Sequence, residues 1–105
     1  NRFSGNTTIG AIITNASLSK AQATKVSSMA HDGYARTMRP AHTLLDGDTI
    51  FTLSVGGVDA DISAVGAMAA KVMEQAVLVA VQSAASLAGF PSCQEIRALP
   101  EEALK

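Results

Sequence analysis

Only two stretches of this chain read as β-strands, and both are too apolar to stand alone in water. Thr8–Asn15 is rich in β-branched residues, with Ile9, Ala11 and Ile13 on one face and Gly10, Ile12 and Thr14 on the other. Neither face carries a charge, which is the pattern of a strand covered on both sides. Residues 49–55, TIFTLSV, read as a second strand closed by Gly56 and Gly57. A two-stranded sheet is marginal in water, so these segments demand more cover than two helices supply.

The helices are legible from their caps and their period. Ser19 followed by Gln22 forms a capping box, in which the hydroxyl accepts from the third backbone N–H while the amide side chain reaches back. From there Val26, Met29, Ala30, Tyr34 and Met38 make one apolar stripe, Lys20, Lys25, Asp32, Arg36 and Arg39 lie mostly off it, and Pro40 ends the helix. A second helix is expected from Ser63 to Ala88, with Val65, Met68, Ala69, Val72, Met73, Ala76, Val79, Ala80 and Leu87 leaving little polar circumference. A helix apolar nearly all round needs burial on several sides. Gly89 and Pro91 are expected to stop it, and the tail offers one short helical turn.

The order strand, helix, strand, helix defines a mixed α/β chain, either one right-handed βαβ crossover or a mixed sheet with partners from elsewhere. The physical inference is half of a larger fold, completed by another polypeptide or by a preceding segment. At 105 residues and 48% hydrophobic content the chain fits one globular unit. A net charge of -1 with scattered basic residues gives no reason to expect nucleic acid or an acidic membrane surface. The most apolar run, Ala76–Ala88, falls short of the roughly 20 residues of a membrane span, so it reads as a buried or interface helix. The single Cys93 cannot form an internal disulfide and the N-terminus lacks a signal-peptide layout, so a bacterial-style cytoplasm is the expected setting.

Two places carry candidate chemistry. Were the bond between Asn6 and Thr7 cut, Thr7 would gain an α-amine of pKa roughly 7.7 to 8.0 beside its own hydroxyl, joining nucleophile and base in one residue. The same hydroxyl can make the cut by attacking the Asn6 carbonyl in an N-to-O acyl shift, and Gly5 supplies flexibility. The alternative is an ordinary loop-to-strand junction. Asp46 and Asp48 flank Gly47 just before the second strand. Two carboxylates at this spacing can share a proton or anchor an ammonium; equally, Asp and Gly are turn residues for backbone reasons. His31 and His42 have no metal-ligand companions at usable spacing, so His31 reads as a helix-packing residue and His42 as an ordering residue of the loop near Asp46. The four methionines read as core fillers, and no motif supports Cys93 as a nucleophile.

Taken together, GNTTIGAIITNA, MAHDGYARTMRPAHTLLDGDTIFTLSVG and AVGAMAAKVMEQAVLVAV resemble the C-terminal β-subunit of the self-processing peptidase family that includes L-aminopeptidase/D-esterase and β-peptidyl aminopeptidases. The likeness covers Asn6 to about Ser83 and looks most like the nylon-oligomer branch, the 6-aminohexanoate-oligomer endohydrolases. It implies an α-β-β-α sandwich made by autocleavage of one precursor into associated α- and β-subunits, this chain giving two strands and two main helices. It places the scissile bond between Asn6 and Thr7, makes Thr7 the nucleophile and matches Asp46 and Asp48 to the positions that orient it. Residues 1–6 are then the remnant before the cut and 7–105 the β-subunit half of a single domain. The assisting Lys and Asn groups of that branch belong to the α-subunit, so no residue here inherits those roles.

The resemblance therefore implies an N-terminal-nucleophile amidohydrolase acting through an acyl-enzyme on Thr7, with oxyanion donors from the α-subunit or from backbone. No metal or organic cofactor is called for. Expected partners are the α-subunit, further copies of the αβ unit, and a linear amide oligomer or short peptide as substrate. Two rivals stand beside it: acyl transfer to an amine, as in ornithine acetyltransferases, and a non-catalytic helical subunit that closes a partner's sandwich.

Overall fold

The computed structural model describes residues 6–104. Most of the expected remnant, residues 1–5, lies outside the described residues. The elements run β1 (Ile9–Ala16), α1 (Lys20–Thr37), β2 (Thr49–Val58), α2 (Ile62–Ser83) and α3 (Cys93–Arg97), followed by a 3₁₀ turn at Glu101–Leu104. The chain is mixed α/β: β1 and β2 pair in parallel through α1, and both long helices lie on one side of the sheet. The Ser19–Gln22 capping box forms as expected, Ser19 Oγ accepting from Gln22 N at 3.2 Å and Gln22 Oε1 from Ser19 N at 2.9 Å. Asp61 opens α2 in the same manner, accepting from Ala64 N at 2.9 Å.

β2 runs three residues beyond its expected end. Gly56 and Gly57 do not close the strand; they form an irregularity in which Thr14 pairs with Ser54 but Ala16 already pairs with Val58. Gly56 lies so close to Asn15 that a side chain there would collide with the Asn15 backbone. Glycine at this bulge serves close approach of two strands rather than termination.

The helices meet through small residues. The buried positions of α1 are Val26, Ala30, Gly33 and Tyr34, and those of α2 are Gly66, Ala69, Ala70 and Met73. α2 is expected to be covered on several sides, yet its buried residues lie on one small-residue side while Met68, Val72 and Val79 remain exposed. The reason is steric: a Cβ on Gly33 would lie 2.7 Å from both Ala70 O and Glu74 N, so the helices approach backbone to backbone. Neither atom can move away without moving a helix. Gly33→Ala is therefore expected to destabilise the assembled protein by about 1–3 kcal/mol, read as a lower melting temperature, whereas unchanged melting would contradict this packing.

α2 ends at Ser83, five residues earlier than expected, with Ala84 already extended. Gly89, at φ 82°, instead shapes a tight turn whose ends, Leu87 and Phe90, bond to each other. Ser86 fixes this departure, since its hydroxyl accepts from Ser92 N at 2.7 Å and pairs with Glu95. By length and composition α2 could cross a membrane. Lys71 and Glu74 at its centre, and the close seat of its first half on α1, are features of a helix packed in protein.

The core of Ile12, Val26, Ala30, Tyr34, Ile50, Ala69 and Met73 lies between the sheet and the helices. The opposite face of the sheet is bare: Ile9 is 71% exposed, Ile13 70% and Phe51 58%, with Leu53 and Val55 beside them. Leu78, Val79 and Val81 leave the second half of α2 equally uncovered. Nothing among the described residues provides the all-round cover that both strands and α2 call for. The architecture is compatible with one fragment of a two-subunit fold.

Candidate active site

The sheet begins one step before β1 is regular. Asn6 pairs with Asp46 as an isolated parallel bridge, Asn6 N donating to Leu45 O at 3.3 Å and Gly47 N donating to Asn6 O at 2.8 Å. Two residues on, Thr49 N donates to Thr8 O at 2.9 Å. A regular ladder would then send the Thr8 N–H to the Gly47 carbonyl. Here the Asp48 carboxylate takes it instead, at 3.1 Å. Thr7 thus sits between two residues whose backbones are both fastened to the segment 45–49.

Strand alternation decides which way these side chains face. Thr8 points toward the helices, its hydroxyl 3.7 Å from Met38 Sδ. Thr7 falls on the other face, with Ile9 and Ile13, and its hydroxyl overhangs Gly47: a Cβ built on Gly47 would lie 2.9 Å from Thr7 Oγ1. The Thr7 hydroxyl therefore stands on the uncovered face of the sheet, at its open end.

The two aspartates are close by but hold different things. Asp46 Oδ2 accepts from Thr43 N at 3.0 Å and from Thr43 Oγ1 at 2.8 Å, closing the loop on itself. These two bonds, the backbone one first, hold its carboxyl below the ordinary carboxylate range, with His42 adding to the effect. Asp48 fixes Thr8 and, from the helix side of the sheet, faces Tyr34 and His31. Among the described residues neither carboxylate hydrogen-bonds Thr7 itself. The sequence-predicted residues are brought to one end of the sheet, where the Asp48 carboxylate holds the Thr8 N–H and the Asp46 carboxylate holds Thr43.

Three aromatic residues back this end of the sheet, and their convergence is invisible in sequence. Tyr34 is fully buried, with its hydroxyl 3.5 Å from Thr49 O. His31 meets Tyr34 edge-on at 5.3 Å and stacks at a tilt on His42 at 4.8 Å, so His42 ties the loop to α1. Burial, then the neighbouring His42, pushes the His31 pKa below 6.5, while Asp48 and Asp32 oppose the shift. Burial, then Asp48, pushes the Tyr34 hydroxyl above 10.0. His31 Nδ1 is buried without a hydrogen-bond partner among the described residues. An open cleft of about 740 Å³, lined by Asn6, Thr8, Met38, Arg39, Asp46 and Asp48, runs along this end. No group of three or more metal-ligating side chains is assembled among the described residues.

Comparison with known proteins assigns the class. Residues 2–94 match the model of Peptidase family S58, and the chain belongs to that family. It is 47% identical to an uncharacterized aminopeptidase of Mycobacterium leprae (strain TN), over 83% of this chain and 28% of that protein. A second uncharacterized aminopeptidase, from Mycobacterium tuberculosis (strain ATCC 25618 / H37Rv), is 45% identical over 87% of this chain and 31% of its own length. A 6-aminohexanoate-oligomer endohydrolase of Kocuria sp. (strain KY2) is 34% identical over 74% of this chain and 26% of that protein. The chain thus spans under a third of the length of these curated relatives. No solved structure matches it.

Proposed function

We propose that this chain is the nucleophile-bearing half of a self-processing amidohydrolase, cut between Asn6 and Thr7. The observation that carries the reading is the seat of Thr7, whose hydroxyl stands on the open face of the sheet while Asn6 and Thr8 are fastened on either side. Scission converts the Thr7 amide nitrogen into an amine one residue long in reach of its own hydroxyl. That amine then takes the hydroxyl proton as Oγ1 attacks a substrate amide, and water releases the acyl group. Asp48 and Asp46 position Thr7 through Thr8 and through the loop 43–46.

The bare sheet face and the apolar second half of α2 support completion of an αββα sandwich by an α-subunit from the same precursor, with further αβ units assembling around it. A cytoplasmic setting goes with this proposal. The substrate class is a linear amide, either a 6-aminohexanoate oligomer or a short peptide. A second reading, an aminopeptidase, is favoured by identity of 47% and 45% to the aminopeptidase-named relatives against 34% to the nylon-oligomer enzyme.

The full-length processed protein, assayed side by side on 6-aminohexanoate oligomers and on amino-acid anilides and dipeptides, decides between them. A kcat/KM at least about tenfold higher on the oligomers supports the first reading, a difference of about 1.4 kcal/mol in transition-state binding. The reverse order supports the aminopeptidase. Hydrolysis of none of them would reject both.

A further inference from the structure

Gly47 stands in a turn-prone Asp-Gly-Asp triplet, but its backbone does not explain why it is glycine. Among the described glycines only Gly89 has a positive φ, so Gly47 adopts a conformation open to any residue. What glycine supplies is space, because a Cβ would meet Thr7 Oγ1 at 2.9 Å, with the Thr7 Cβ and Cγ2 the next nearest atoms at 3.8 Å. The same residue donates its N–H to the Asn6 carbonyl at 2.8 Å. A regular ladder bond would account for the donor alone. It does not account for a missing side chain directly under the hydroxyl that neighbours the same carbonyl.

We propose that Gly47 is a catalytic residue, its N–H the oxyanion donor for scission of the Asn6–Thr7 bond and its bare Cα the space that the Thr7 hydroxyl occupies during attack. The inference rests on the self-processing reading above and extends it to a named donor. A bond forms between Thr7 Oγ1 and the Asn6 carbonyl carbon, and the carbonyl electron pair moves onto the Asn6 oxygen already held by Gly47. Collapse breaks the Asn6 C–Thr7 N bond, and the hydroxyl proton ends on the departing amine. Water then hydrolyses the ester, leaving the Asn6 carboxylate and restoring the Thr7 hydroxyl.

The donor already bonds the ground-state carbonyl oxygen at 2.8 Å, so it stands beside the place where the oxyanion develops, and it is held still from both sides. Asp46 is locked to Thr43 at 2.8 and 3.0 Å, and Asp48 to Thr8 N at 3.1 Å. The two carboxylates therefore aim the amide between them. Once Asn6 leaves, that N–H stands free beside Thr7 to receive the carbonyl oxygen of an incoming amide.

The test uses the full-length polypeptide and follows the appearance of the cut chain by mass. Replacing the Gly47 amide with an ester, by incorporating glycolic acid at that position, removes the donor and changes no other atom. Processing is expected to slow by about 100- to 1,000-fold. Gly47→Ala keeps the donor and fills the space, and is expected to slow processing by at least about tenfold, the effect of a misplaced nucleophile. Wild-type rates for the ester would overturn the donor role, and wild-type rates for Gly47→Ala would overturn the need for space. A Thr7→Ala control separates the layers: if it is still cut, the self-processing reading itself fails, whereas an uncut control with normally processed Gly47 variants removes this inference alone.

Discussion

Thr7→Ala in the full-length polypeptide is expected to leave one uncut chain and to lower amide hydrolysis by at least about a thousandfold. Removal of a nucleophile in a concerted site costs nearly the whole chemical advantage, because the remaining donors stabilise a transition state that no longer forms. The variant is expected to fold normally. Thr7 is exposed and lies outside the core, so loss of its hydroxyl and methyl leaves core packing intact. Thr7→Ser should retain processing, since it keeps the oxygen. Both outcomes are read by mass for the cut and by product release for hydrolysis. An active Thr7→Ala enzyme would return the chain to the reading of a helical interaction subunit.

Tyr34→Ala should be the most damaging substitution for stability. The ring is enclosed by α1, β1 and α2, and its hydroxyl occupies the space that a side chain on Gly10 would fill. Truncating a buried aromatic residue costs about 3–5 kcal/mol through lost transfer energy and the cavity left behind. It also removes the edge against which His31 packs and loosens the wall behind Asp48. Tyr34→Phe separates packing from polarity. The hydroxyl bond to Thr49 O is long at 3.5 Å, so its loss should cost at most about 1 kcal/mol. Thermal melting of the assembled protein checks the pair, and equal losses for Phe and Ala would show that the hydroxyl, not the ring, is what matters.

Much of the fold was legible because period and caps act locally. The capping box at Ser19 and the alternation of β1 each state their element within a few residues. The errors fell where one residue type has two uses. Gly56 and Gly57 carry the signal of a strand end, yet they lie in a bulge where Gly56 closely approaches Asn15. On α2 the apolar residues run nearly all round and single out no face, while Gly33 on α1 selects the small face of Gly66, Ala69 and Ala70. Which face a doubly apolar helix buries depends on its partner, and the sequence of the helix alone does not hold that information.

The candidate site divides in the same way. Residue type made Thr7, Asp46 and Asp48 candidates beside plain junction and turn readings, and only the family resemblance gave them roles. That Asp48 holds Thr8 and that Gly47 lies under the Thr7 hydroxyl are matters of register between segments forty residues apart, whereas Asp46 turns back on Thr43 within its own loop. The grouping of His31, Tyr34 and His42 behind them needs the return of the loop onto α1, for which the sequence offers no periodic signal. The positive φ of 59° at His42 is one mark of how tightly that loop turns.

Intact mass and N-terminal sequencing of the purified full-length protein test the central claim most directly. Self-processing by Thr7 predicts two associated chains, the shorter beginning with the residues TTIGAIITN and the longer ending at Asn6. A stable and catalytically active protein in which Asn6 remains bonded to Thr7 would contradict it.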